Sequence, residues 1–193
     1  MYLSKYRLKL SWDNRIMLND VLNAHELHRS IQSLFGNTRK DSNVLYVRNF
    51  VGVDNAYVYM YSVDKPPMES DHFERVFCRD QNVDFPVGSI IRFRIVCNPT
   101  KQVSGKRYFL RTAEERKAWF FRQAQKSGFE CLGLSETGVE DITVQKNRTL
   151  SFTFESVVFT GLLKVTDSVM FANVLKNGIG AEKAYGMGML MVV

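Results

Sequence analysis

Two imidazoles one helical turn apart, and a lysine set in a glycine-rich run, are the side chains of this sequence best suited to chemistry. The first lie in His25-Glu26-Leu27-His28, and the second lies in Gly178-Ile179-Gly180-Ala181-Glu182-Lys183-Ala184-Tyr185-Gly186-Met187-Gly188. An imidazole titrates near neutrality and can move the protons of a ribose 2′-hydroxyl and of a leaving 5′-oxygen. Glycines let backbone N–H groups approach a phosphate, to which Lys183 adds charge and Tyr185 a stacking or hydrogen-bonding surface. Each segment also has a plain structural reading. Paired helix histidines can be partly exposed residues without chemistry, and Gly178 can be a helix cap followed by a bulge. Together the two segments point to chemistry on RNA.

Other uses of these residues fit less well. The position that would need the third glycine of a dinucleotide fingerprint is Lys183, no helix follows the loop, and the run is not a Walker loop. His72, in Asp71-His72-Phe73-Glu74, reads as a solvated residue, and His25-x-x-His28 lacks the further ligands of a closed zinc site. Neither a metal nor a cofactor is expected. The three cysteines, Cys78, Cys97 and Cys131, have no Cys-x-x-Cys spacing and read as small buried side chains in a reducing compartment. No apolar run approaches the roughly 18 residues of a membrane span, and the first residues are charged where a signal peptide turns hydrophobic. A cytoplasmic protein without membrane contact is expected.

Charge is distributed unevenly. Residues 1–87 carry 11 Lys and Arg against 11 Asp and Glu, whereas residues 88–193 carry 15 against 9, which accounts for the whole net charge of +6. Between Arg92 and Lys126 there are ten basic residues and two acidic ones. Such clustering is the footprint of a polyphosphate partner, although a basic helix face can also be merely solvated. Asn98 to Arg111 reads as a mobile basic connection carrying Lys101, Lys106, Arg107 and Arg111. It leads into a helix with Arg116, Lys117 and Arg122, and the natural use of this connection is phosphate contact along a duplex. This half lacks the aromatic, glycine-rich strand signature of a single-strand reader, so a folded stem is expected rather than unpaired bases.

Elements that would position these residues follow from periodicity. Residues 2–10 alternate as a strand, and Ala24, Leu27, Ile31, Leu34 and Phe35 form one apolar stripe on a helix between Asp20 and Phe35. His28 falls at the border of that stripe and His25 one turn back. Strands near 44–53 and 56–63 form a hairpin through Asp54-Asn55, and Pro66-Pro67 ends it. An amphipathic segment around Ser70 to Cys78 and an edge strand before Pro86 complete a β-α-β-β-α-β unit. The order then repeats with a strand over 89–98, a helix over 112–126, a weakly patterned stretch over 130–144, a strand over 150–165, a helix over 168–176 and a strand over 187–193. The expected fold is α+β, two tandem ferredoxin-like (RRM-like) domains over 1–84 and 88–193, joined near Val83 to Gly88.

On these residues alone, three readings stay open. The protein cuts RNA, or it holds an RNA hairpin without cutting it, or its basic face docks on other members of an assembly. The sequence resembles the CasE family, the repeat-processing endoribonucleases of type I-E CRISPR systems. The resemblance is carried by Met1-Tyr2-Leu3-Ser4-Lys5, by Leu27-His28 with Leu34-Phe35, by Phe93-Arg94 running into Asn98-Pro99-Thr100-Lys101, and by Gly178-Ile179-Gly180 to Gly186-Met187-Gly188. It implies cleavage of precursor CRISPR RNA at the base of the repeat hairpin without a metal, by attack of the 2′-oxygen, leaving a 2′,3′-cyclic phosphate and a 5′-hydroxyl. The protein would then stay on its product beside the other Cascade subunits, meeting DNA only through the complex. The resemblance matches His28 to the catalytic histidine and puts His25 where the family often has tyrosine. It implies RNA contacts, by region, for the basic residues at 101–111, for Lys146 and Arg148, and for the loop with Gly178, Gly180, Lys183, Tyr185, Gly186 and Gly188.

Overall fold

The computed structural model describes residues 1–9, 23–35, 44–50 and 56–192, and these fall into two compact units. The first comprises residues 1–81 together with 143–153 and 184–186, and the second comprises 82–142, 154–183 and 187–193.

In the first unit, strands β1 (Tyr2–Leu8), β2 (Leu45–Phe50), β3 (Ala56–Ser62) and β4 (Phe73–Asp80) form a sheet in the order β2-β3-β1-β4. All its neighbours are antiparallel. This is the ferredoxin-like order, with helix α1 (Ala24–Ser33) supplied between β1 and β2. Apolar alternation on the strands meets the helix stripe: Leu27 and Ile31 pack with Tyr6, Tyr46, Val58, Met60 and Phe73. Such burial is the main source of cohesion in a unit this small.

One expected helix is a strand. The segment around Ser70 to Cys78 runs as β4, because alternation buries Phe73 while Glu74 and Arg79 face outward, and β1 offers an open edge. Residues 63–72 contain no helix, and residues 82–86 contain no edge strand. The expected helix start at Asp20, the end of the first strand at Leu10 and the Asp54-Asn55 turn lie outside the described residues. The hairpin flanking that turn is present, with Phe50 opposite Ala56.

The second unit repeats the order more fully. Strands β5 (Ile90–Cys97), β8 (Phe129–Gln145), β9 (Ser151–Val165) and β10 (Met191–Val192) form a sheet ordered β10-β5-β9-β8. Helix α2 (Ala113–Lys126) precedes β8, and α3 (Ser168–Asn177) follows β9. Thr112 and Glu115 close a capping box on α2. Phe93, Phe120, Phe129, Phe159 and Phe171 make a connected aromatic core. The weakly patterned stretch from 130 to 144 is one long strand at the edge of the sheet, whose exposed positions dilute the alternation. The expected closing strand shortens to two residues, because Gly186 and Gly188 hold positive φ and bend the chain ahead of it.

The basic stretch after Asn98 is ordered rather than a loose connection. Strands β6 (Thr100–Val103) and β7 (Lys106–Phe109) pair in a hairpin, with Ser104 at φ 48° and Gly105 at φ 79° in the turn. A two-residue turn with both φ values positive matches the twist of the strands it joins.

Candidate active site

The N-cap of α1 is Asn23, whose Oδ1 accepts from the backbone N–H of His25 at 3.0 Å. The same carboxamide accepts from Gln145 N at 3.1 Å and donates to Gln145 O at 2.7 Å. One side chain therefore starts the histidine helix and fastens to it the end of β8. Beyond Gln145 comes the turn carrying Lys146 and Arg148. Asn147 shapes that turn by accepting from the N–H groups of Thr149 and Leu150, and Lys146 N donates to Leu150 O.

His28 is half-buried at the border of the apolar stripe. Its ring stacks on Tyr46, with centroids 6.4 Å apart and planes inclined by 18°, and meets Tyr185 edge-on at 6.3 Å. Tyr46 is 1% exposed and its hydroxyl donates to Ala184 O at 2.8 Å. Burial pushes the Tyr46 phenol above its usual range, so it remains a donor. Residues 184–186 of the glycine-rich run are thus pinned beside the histidine by a buried phenol. Gly186 has φ +86°, and a Cβ there would lie 3.1 Å from the Tyr46 ring, so glycine is required for this approach.

His25 is held differently. Among the described residues it makes no ring contact, and its Nδ1 is shielded from solvent without a hydrogen-bond partner.

One end of this chemistry is now spatially coherent. His28, Tyr46, Tyr185, Lys146 and Arg148 belong to a single compact unit although they are up to 157 positions apart in sequence. A family model described as CRISPR associated protein matches residues 1–193. The chain belongs to that family. The CRISPR-associated endoribonuclease Cse3 of Thermus thermophilus is 26% identical over 212 aligned residues, covering 100% of this chain and 99% of the relative. A structure of CRISPR endoribonuclease Cse3 bound to 19 nt RNA superposes with a TM-score of 0.88 at 24% identity, covering both chains completely. A chain of a CRISPR RNA-guided surveillance complex matches with a TM-score of 0.71 at 23% identity, over 100% of this chain and 99% of that one. The tandem ferredoxin-like fold and the CasE resemblance read from the sequence are borne out.

The other residues that the sequence marks as candidates in this CRISPR associated protein lie chiefly in the second unit. On the β6–β7 hairpin and its exit, Lys101 pairs with Glu115 at 3.5 Å, Arg107 with Glu182 at 3.5 Å, and Arg111 with Glu155 at 3.0 Å. These cations are mostly exposed, and such pairs are worth at most about 1 kcal/mol, so a phosphate can replace the carboxylate cheaply. Arg116, one of the ten basic residues between Arg92 and Lys126, is buried and paired with Glu136. In the glycine-rich run, Gly178 is the C-cap of α3, and Lys183 Nζ donates to Asn177 O at the end of that helix. Gly188 packs so closely on Ile179 that a Cβ would fall 2.3 Å from its carbonyl oxygen, and Gly180 lies against Trp119. These glycines fold the loop upon itself and upon the protein.

Sequence reading alone missed Asn23 and Tyr46. Tyr46 reads locally as one more strand aromatic, and only the pairing of β2 with β3 beneath α1 places it against His28. No helix of the described residues is long and apolar enough to cross a membrane.

Proposed function

We propose that this CRISPR associated protein is an endoribonuclease that cuts precursor CRISPR RNA at the base of each repeat hairpin and then keeps the hairpin. The observation that carries this reading is His28, fixed between Tyr46 and Tyr185 in the same unit as the Lys146–Arg148 turn. A catalytic imidazole needs packing on one side and substrate on the other. The Cse3 name of the Thermus relative, and the RNA in the matched Cse3 structure, support the same activity.

In the proposed reaction the ribose 2′-oxygen attacks the adjacent phosphorus while the bond to the 5′-oxygen of the next nucleotide breaks. The 2′-hydroxyl proton passes to a base and the 5′-oxygen receives one, leaving a 2′,3′-cyclic phosphate and a 5′-hydroxyl. His28 performs one of these two transfers. His25 is the candidate for the other, or for orienting the ribose. Lys146 and Arg148 offset charge developing on the phosphate, Lys183 is a further candidate RNA contact, and the bound stem holds the nucleotide in line. The loop of Gly178, Gly180, Tyr185, Gly186 and Gly188 supplies the shape against which the RNA backbone rests.

We assign catalysis to the unit of residues 1–81, 143–153 and 184–186, and stem binding chiefly to the other unit. The partners are the CRISPR repeat hairpin and, as the match to a surveillance-complex chain supports, other Cascade subunits; DNA is reached only through that assembly. The reaction needs neither metal nor cofactor, and its setting is the cytoplasm.

The deciding experiment is cleavage of cognate repeat RNA in EDTA. Cleavage is expected to proceed there, and a 2′-deoxy substitution at the nucleotide before the cut abolishes it while leaving affinity unchanged. A requirement for a divalent ion, or cutting of the 2′-deoxy RNA, rejects the mechanism.

The hairpin cations have their own expected result. Replacing Lys101, Lys106, Arg107 and Arg111 together by alanine lowers RNA affinity and reduces the slope of log affinity against log salt by roughly 3 if all four neutralise phosphates. Cleavage at saturating protein changes less. An unchanged slope returns the hairpin to the class of solvated charge.

A further inference from the structure

Beyond the histidines, the first unit carries an aromatic series that ends at the surface. His28 meets Tyr185, Tyr185 meets Phe152 with ring centroids 6.0 Å apart, and the ammonium of Lys146 stands 5.8 Å from the Phe152 centroid. From Tyr185 outward burial falls: Tyr185 is 7% exposed and Phe152 37%. Leu150, two residues before Phe152, is 49% exposed, and Lys146 and Arg148 are exposed on the same turn. A single partly exposed ring is ordinary on a protein surface; what marks this one is the exposed Leu150 and the two exposed cations around it. Flanking cations beside a flat ring match one kind of partner, a nucleotide, whose base stacks while its phosphate is neutralised.

We infer that Phe152, with Lys146 beside it, is a stacking platform for the nucleobase next to the scissile phosphate. This rests on the proposed RNA cleavage and specifies where the substrate sits. Tyr185 links the platform to the imidazole: its ring touches both Phe152 and His28, so a base seated on Phe152 lies two side chains from the proton-transfer group. Asn23 fixes the other side by joining Gln145, the residue before Lys146, to the first turn of α1. The platform therefore keeps its place relative to the histidine helix through two separate ties. Its role is in register: stacking chooses which nucleotide is placed in line, and a base contact on an aromatic face is tolerant of base identity.

The test uses the full chain and a cognate repeat RNA made uncleavable by a 2′-deoxy sugar before the cut, with 2-aminopurine placed in turn on either side of the cut. Quenching of the fluorescent base is expected on binding at one of the two positions. Phe152→Leu removes that quenching, and Phe152→Tyr retains it. With cleavable RNA, Phe152→Leu lowers the single-turnover rate roughly 10-fold, the scale of one lost stacking contact. An RNA lacking the base at that position is cut equally by both proteins. Quenching that survives Phe152→Leu, or a rate loss that persists on the baseless RNA, overturns the platform. If quenching depends on Phe152 but normal RNA is never cut, the platform stands and the endoribonuclease reading fails. Normal cutting without quenching at either position rejects the platform alone.

Discussion

His28→Ala is expected to lower single-turnover cleavage at least about 100-fold, the usual scale for removing a general acid or base, while hairpin affinity stays within a few fold. The geometry separates the two effects. His28 contributes to the site through its ring, which lies on Tyr46 and against Tyr185, while the first unit is cemented by Leu27 and Ile31 on the neighbouring face. Tyr46 keeps its bond to Ala184, so the loop remains in place when the imidazole is gone. His25 gives the more informative contrast, since it lies outside these aromatic contacts. If His25→Ala loses as much activity and His25→Tyr recovers it, position 25 serves the role the family often gives to tyrosine. Normal cleavage by His25→Ala makes it a bystander. Activity that survives loss of both imidazoles would falsify the assignment of chemistry to this helix.

How far the sequence revealed this arrangement differs by element. The stripe Ala24, Leu27, Ile31 dictated the histidine helix and its buried face, because a 3.6-residue period is written locally. The helix over 112–126 and the apolar run of β9 were equally local. Ser70 to Cys78 misled because a short segment with few apolar residues satisfies a helix and a strand about equally, and the free edge of β1 decided between them. The basic stretch after Asn98 looked like a loose connection because both of its strands are four residues long and largely exposed, leaving little alternation to read. Long-range joins were invisible. Nothing near Asn23 announces Gln145, 122 positions away, and nothing near Tyr46 announces Ala184. A hydrogen bond between distant segments leaves no period in either one. His28 was legible as chemistry, whereas the side chains that hold it emerged only once the strands were paired.

Arg116 shows the same limit and carries the largest expected effect on stability. By composition it is one of ten cations in a basic stretch, yet its side chain is 9% exposed and faces Glu136, itself 11% exposed. Nε donates to Glu136 Oε1 at 2.9 Å and a terminal nitrogen donates to the same oxygen. The other terminal nitrogen donates to Leu110 O at 3.1 Å and Arg111 O at 2.6 Å, and the guanidinium lies 5.6 Å from the Phe109 ring centroid. One side chain thus ties α2 to β8 and to the exit of the basic hairpin. Arg116→Ala strands these acceptors, including a carboxylate whose second oxygen is already buried without a partner. Breaking such a pair from one side costs about 3–5 kcal/mol. Lysine recovers little of that, because an ammonium cannot span the acceptors that the planar guanidinium reaches. Replacing both partners by apolar residues, Arg116→Met with Glu136→Leu, is expected to restore much of the loss, since no lone charge is then buried. Urea midpoints at constant slope measure each step. Hairpin RNA affinity should fall in Arg116→Ala even where the protein is folded, because Lys101, Arg107 and Arg111 lose the anchor that holds them in one array. A loss of stability under about 1 kcal/mol for Arg116→Ala would place this arginine among the exposed cations after all.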